Sequence, residues 1–151
     1  MPLFKEAFTV GVAQQEVWEF LMDVERMAAC IPGCEEVQAI DDTTFKTRIK
    51  VKVGPFSTTQ TATMRLTEVD PPRHLASEGQ GDDPRMGSKV NMKATLDLTP
   101  LGQSETRVDY TIDVKVLGRL GMLGEAVMRV KAREMSDQFA SNLKSAIEQG
   151  R

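Results

Sequence analysis

Strand-like alternation of apolar and polar positions fills the middle of this chain. From Phe45 to Val53 the odd positions Phe45, Thr47, Ile49, Val51 and Val53 oppose Lys46, Arg48, Lys50 and Lys52, the pattern of a strand with one wet face. Gly54-Pro55 turns the chain, and Phe56, Thr58, Gln60, Ala62, Met64 and Leu66 then share one face until Asp70-Pro71-Pro72 ends the strand. That face is unusually polar in its middle. A shorter strand is predicted near Arg73 to Glu78, followed by a loop over Gly79-Gln80-Gly81-Asp82-Asp83-Pro84, whose residues accept unusual backbone angles. Val90, Met92, Ala94, Leu96 and Leu98 form a further apolar row. Across the Pro100-Leu101-Gly102 turn, Val108, Tyr110, Ile112, Val114 and Val116 form another.

Both ends of the chain carry a different rhythm. Residues 4–12 read as a strand, after which Val17, Phe20, Leu21 and Val24 fall at helical spacing from Gln14 onward. A second short helix is predicted over Glu25 to Ala29 and is ended by Ile31-Pro32-Gly33. From Gly118 to Gln149 a stripe including Leu120, Leu123, Val127, Met128, Met135, Phe139, Leu143 and Ile147 predicts one amphipathic helix. Roughly 30 residues at 1.5 Å each would span about 45 Å. The order predicts a single α+β domain over residues 1–151. In it, a curved antiparallel sheet of about six to seven strands wraps a long C-terminal helix, with two short helices after strand 1.

Composition narrows the function classes. With 40% hydrophobic and 27% charged residues the chain reads as a water-soluble domain, and it has no apolar run near the ~20 residues of a membrane-spanning helix. The first residues lack the features of a secretory signal, so a cytoplasmic location is expected. Its 19 basic residues are interspersed with 22 acidic ones for a net charge of -3, without a basic stripe, so nucleic acid is not expected as a partner.

Chemistry-bearing residues are sparse. Cys30 and Cys34 are the only cysteines, and with His74 as the sole histidine they fall short of a four-ligand zinc set, so no metal site is predicted. A cytoplasmic setting disfavours a disulfide between them, and they read as small apolar residues at a turn. His74 at a strand start, Glu78, and Asp82-Asp83 in the loop suggest no catalytic set, and none is predicted. Gly79-Gln80-Gly81 lacks the Lys-Ser/Thr of a phosphate loop. The nine methionines include Met64, Met92, Met128 and Met135 on inward faces, where core filling and pocket lining both remain open. A pocket between sheet and helix is expected to be bounded by Trp18, Val51, Phe56, Met64, Met92, Tyr110, Leu123 and Val127. Thr58, Gln60 and Tyr110 would supply its polar contacts.

The strings Ala29-Cys30-Ile31-Pro32-Gly33-Cys34-Glu35, Val53-Gly54-Pro55, Asp70-Pro71-Pro72, Glu78-Gly79-Gln80-Gly81 and Gly118-Arg119-Leu120-Gly121-Met122-Leu123-Gly124 stand in the order found in the CoxG family, named for a subunit of carbon monoxide dehydrogenase. The chain resembles that family over nearly its whole length. The resemblance implies a helix-grip fold of the START/Bet v 1-like superfamily with an interior ligand cavity. It also implies non-covalent binding of a quinone or lipid, in the service of electron transfer from a molybdenum CO dehydrogenase to the respiratory chain. Related helix-grip domains include cyclases and dehydratases, and co-chaperone-like modules form a third class. The sequence ends at Arg151, directly after the helix, and Lys131, Arg133, Lys144 and Arg151 are mixed with acidic residues. At most transient membrane contact is therefore expected, with Gly118, Gly121 and Gly124 as a gate weakened by low helix propensity.

Overall fold

The computed structural model describes residues 3–149, so Arg151 lies outside the described part. In chain order it contains β1 (Leu3–Val10), α1 (Gln14–Met22), α2 (Val24–Ala28), β2 (Cys34–Ala39), β3 (Thr44–Val53), β4 (Phe56–Asp70), β5 (His74–Asp83), β6 (Ser88–Gly102) and β7 (Glu105–Gly118), then a 3-10 turn (Arg119–Leu123) and α3 (Glu125–Gln149). The strands form one seven-stranded antiparallel sheet in the order β1-β7-β6-β5-β4-β3-β2. Register shifts at Cys34/Glu36, Leu66/Glu68 and Pro100/Gly102 bend β2, β4 and β6, as an extra residue in one strand of a pair does.

Register assigns the inner face. Phe45 lies opposite Met64, Met64 opposite Gly79, Gly79 opposite Met92 and Met92 opposite Val114, so these side chains form one row across five strands. At one end of the molecule the inner face is closed. There Val10, Val17, Trp18, Leu21, Leu98 and Val108 pack with Leu143 and Ile147 from the last turns of α3. The Thr106 hydroxyl donates to the Val12 carbonyl at 2.7 Å, fixing the chain between β1 and α1 to β7. At the other end Val51, Phe56, Met64, Val90, Met92, Val114 and Val116 point inward yet remain only half-buried.

Two expectations are corrected. Gly79 to Asp83 is not a loop but the second half of β5, paired with β6 throughout and with β4 as far as Asp82. Glycine there serves packing across the sheet: a Cβ on Gly79 would sit 2.5 Å from the Met64 Sδ, and one on Gly81 3.0 Å from the Gln60 Oε1. The missing side chains make room for long neighbours. Nor does one helix run from Gly118 to Gln149, because β7 continues to Gly118 and α3 begins only at Glu125. Gly118 (φ 82°) and Gly124 (φ 100°) bracket the 3-10 turn with backbone angles that L side chains avoid. Weak α-helix propensity is thus not what these glycines contribute.

A Cβ at Gly118 would also lie 2.2 Å from the Gly87 carbonyl oxygen, whereas Gly54, with φ of 57°, has open space around it. Gly54→Ala should therefore lose about 1–2 kcal/mol, the cost of the left-handed angle. Gly118→Ala should lose clearly more. Urea denaturation of both variants checks this, and equal losses would show that the close approach to Gly87 carries no weight.

Candidate functional site

Between the β3–β4 turn and the first turns of α3 lies a groove of about 430 Å³, inside the ~300–1,000 Å³ range of small-molecule sites. Lys52, Val53 and Gly54 form one wall, and Ala126, Val127, Val130, Lys131 and Glu134 the other. It is open along one side rather than an enclosed chamber. Val127 and Val130 are 43% and 67% exposed, and Met122 in the adjoining 3-10 turn is 85% exposed. Val53 belongs to the inner face, and its neighbours there, Val51 two residues back and Phe56 directly opposite, are half-buried. The groove is thus the mouth of the uncovered part of the sheet.

The ten residues singled out in the sequence separate into four groups. Val127 lines the groove. Val51, Phe56, Met64 and Met92 lie half-buried on the inner face behind it, and Leu123 is half-buried in the 3-10 turn. Trp18 and Tyr110 belong instead to the closed core. The Tyr110 hydroxyl donates to the Ser136 carbonyl at 2.8 Å, and its ring stands edge-on to Phe139 at 5.6 Å. Burial pushes this phenol up to about 12.

Thr58 and Gln60 are brought together, but around a carboxylate that the sequence pattern assigns to a loop. Asp83, 4% exposed, accepts from the Thr58 hydroxyl at 2.6 Å and from the backbone N–H groups of Thr59 and Arg85, each at 3.1 Å. Gln60 Nε2 donates to the Thr58 Oγ at 2.9 Å and the Ser88 Oγ at 3.1 Å, leaving Gln60 Oε1 buried with no partner among the described residues. The cluster joins the β3–β4 hairpin to the β5–β6 turn, at the end of the molecule that carries the groove. The Thr58 hydroxyl, then the backbone donors, hold Asp83 below the usual carboxylate range. A depressed carboxylate stabilises the fold above its unfolded pKa, and that stability is lost as pH falls through the folded one. Asp83→Asn, which turns donors onto donors, should cost about 1–3 kcal/mol at pH 7. The difference from the parent should shrink in acid; denaturation midpoints at pH 7 and pH 3 test it, and a loss independent of pH would refute the charge's part.

One inward-facing acid is not legible in the sequence pattern. Glu6 lies opposite Tyr110 in the β1–β7 register and so shares the inner face with it. Its carboxyl is raised above the usual range, first by burial and then by the Asp137 carboxyl on α3, while Arg133 opposes the shift. The imperfect alternation of residues 4–12 hides which face Glu6 takes. A raised carboxyl binds its proton more tightly in the folded state, so its contribution to stability falls as pH rises from the unfolded value through the folded one. Glu6→Gln should therefore raise the melting temperature at pH 7 relative to the parent and leave it little changed at pH 4. Differential scanning calorimetry at the two pH values decides it, with no gain at pH 7 as the refuting outcome.

The remaining polar candidates are structural in their contacts. His74 begins β5 and is clasped on the outer face by Asp97 (Nδ1 to Oδ1, 2.6 Å) and Glu68 (Nε2 to Oε1, 2.9 Å). These two carboxylates, Asp97 most, hold its imidazolium above the usual range. Cys30 is buried and Cys34 half-buried; both thiols are free, and burial pushes both up, away from the reactive thiolate. No described helix is long and apolar enough to cross a membrane.

Residues 7–148 match the family described as the CoxG subunit of carbon monoxide dehydrogenase. No curated protein matches the chain in sequence. Among solved structures, a conserved protein from Geobacillus kaustophilus is similar with a TM-score of 0.87 at 22% identity, over 98% of this chain and 96% of that one. A START superfamily protein from Mycobacterium smegmatis gives 0.74 at 11% identity, over 99% of each chain. The Zhui aromatase/cyclase from Streptomyces sp. R1128 gives 0.69 at 21% identity, over 99% and 92%. At these identities the likeness shows the fold, which is the START-like helix grip.

Proposed function

This chain belongs to the CoxG family of carbon monoxide dehydrogenase, and from that membership and the uncovered half of its sheet we propose that it holds a hydrophobic small molecule between sheet and α3. The ligand is quinone-like or isoprenoid-like in this reading, bound without a covalent link. The protein acts as an accessory to electron transfer from a molybdenum CO dehydrogenase-type enzyme to the respiratory chain, in the cytoplasm and with at most transient membrane contact. One observation carries the ligand: the row Phe45, Met64, Met92 and Val114 faces inward and is still half-buried. Apolar surface left open in this way gains roughly 25 cal/mol for each Å² that a ligand covers. Met64 and Met92 meet over Gly79 and adapt their shape at little cost, which suits an apolar guest.

Catalysis of the cyclase kind is the second reading. It is favoured by Glu6, an inner-face carboxyl held towards its protonated form, and by a fold shared with an aromatase/cyclase. The two readings differ in what happens to the guest.

Mass spectrometry of an organic extract of the purified protein is expected to yield an apolar compound that denatured protein or buffer does not. Val127→Trp, which fills the groove wall, should lower its recovery several-fold. An empty extract, together with no binding of a short-chain quinone by calorimetry, would remove the ligand-holding function. A guest returned chemically altered by the parent and unaltered by Glu6→Gln would favour the enzyme instead.

A further inference from the structure

Charge is not spread evenly over the molecule. At the groove end, Lys52 before the β3–β4 turn, Arg85 and Lys89 at the β5–β6 turn, and Lys115 and Arg119 at the end of β7 make no ion pair among the described residues. Nearby on α3, Arg129 is paired with Glu125 at 2.6 Å, whereas Lys131 meets Glu134 only at 3.5 Å. The acidic members of this end are few. Asp83 is buried with its oxygens taken up by hydroxyl and N–H donors, and Asp82 is exposed. The far end holds Asp41 and Asp42 in the β2–β3 turn and Glu105 in the β6–β7 turn, while Asp70 in the β4–β5 turn is paired with Arg73. A chain of net charge -3 therefore presents a positive end, and that end is the one with the groove.

Within the groove the same asymmetry is local. Two lysines, Lys52 from β3 and Lys131 from α3, stand on opposite walls, and between them the lining is Val53, Ala126, Val127 and Val130. Glu134 is the one carboxylate in the wall; it reaches Lys131 only at 3.5 Å and is 67% exposed, so it offsets one lysine weakly and leaves Lys52 uncompensated. An apolar floor with a lysine in each wall is complementary to a molecule with a long apolar body and a negatively charged head. A neutral apolar guest would leave Lys52 without a partner and Lys131 with only the distant Glu134.

We infer that the groove selects an anionic amphiphile, its apolar part on the Val53–Val127–Val130 floor and running towards Phe56, its acidic head bridging Lys52 and Lys131. The inference rests on reading the groove as the mouth of the ligand site and adds the chemical class of the head. Bridging by the head draws the β3–β4 turn and α3 together, so head recognition and closure of the open side are one event.

Isothermal titration with three twelve-carbon probes below their micellar concentrations tests it: laurate, 1-dodecanol and dodecyltrimethylammonium. Laurate is expected to bind about tenfold tighter than dodecanol in low salt, the size two exposed charge contacts supply. The ammonium probe should be weakest. Raising the salt to about 0.5 M should shrink the preference for laurate, since screening then acts within a few ångströms. Lys52→Gln combined with Lys131→Gln, which keep most of each stem and remove the charge, should abolish it, judged by the ratio of laurate to dodecanol affinity within the same variant, with circular dichroism to check that the fold is kept. Equal binding of laurate and dodecanol, or a preference that survives the double substitution, would overturn the anionic head while leaving the hydrophobic-ligand function standing. Binding of none of the probes would overturn both. If the laurate preference is missing but the parent sediments with anionic phosphatidylglycerol vesicles and the double variant does not, the lysines serve a membrane surface and the inference falls.

Discussion

A helix of 25 residues is about 37 Å long and only ~10 Å across, whereas seven strands at ~4.8 Å spacing make a sheet nearly as wide as that helix is long. Even strongly curved, such a sheet offers more apolar face than one helix covers. α3 resolves the mismatch unevenly. It lies along β1 and touches β3, and its C-terminal turns drive Leu143 and Ile147 into a core completed by α1. Its N-terminal turns stand off, leaving Val127 and Val130 uncovered on the helix and Val51, Phe56 and Met92 half-covered on the sheet. The groove follows from this geometry.

An uncovered apolar face needs a rigid frame, or the sheet would close on itself. Polar contacts supply the frame at the groove end, where apolar packing is thin. Asp83 gathers the Thr58 hydroxyl and three strand and turn N–H donors, and Gln60 ties Thr58 to Ser88. Such bonds, with one charged partner in low dielectric, are stronger than neutral ones and directional. They fix the positions of the β3–β4 and β5–β6 hairpins without filling the space between sheet and helix. The polar middle of β4, which in the sequence suggests ligand contacts, thus has its first use in holding two hairpins.

How much is legible in the sequence depends on which force decides each element. Where burial decides, the pattern is visible: the alternations of β3, β6 and β7, and the Val17–Leu21 face of α1, are written in residue type. Glycine conceals the second half of β5, since the same residue marks a loop by backbone freedom and a strand by close packing. Only the partners Met64 and Gln60, distant in sequence, tell the two apart. The boundary between β7 and α3 is hidden for a related reason, because Gly118 and Gly124 are chosen for left-handed angles that no periodicity records. Trp18 and Tyr110 are inward as expected, but which end of the inner face a helix will cover is a tertiary fact. The same holds for Glu6, whose face is set by pairing with Tyr110 on β7, far along the chain.

The division into a closed and an open end also separates stability from recognition. Leu98, Leu143, Val10, Val17 and Val108 are essentially inaccessible to water and lie at the closed end. Each buried side chain of this kind contributes on the order of 1.5–3 kcal/mol. That core does not depend on what happens at the groove, so the open end is free to keep surface exposed that a compact fold would otherwise bury. The cost appears in Met122, Val127 and Val130, apolar residues standing in water. A guest that covers them recovers part of the hydrophobic stabilisation the fold leaves unused. Any guest that binds there only in the folded state would stabilise the fold by mass action.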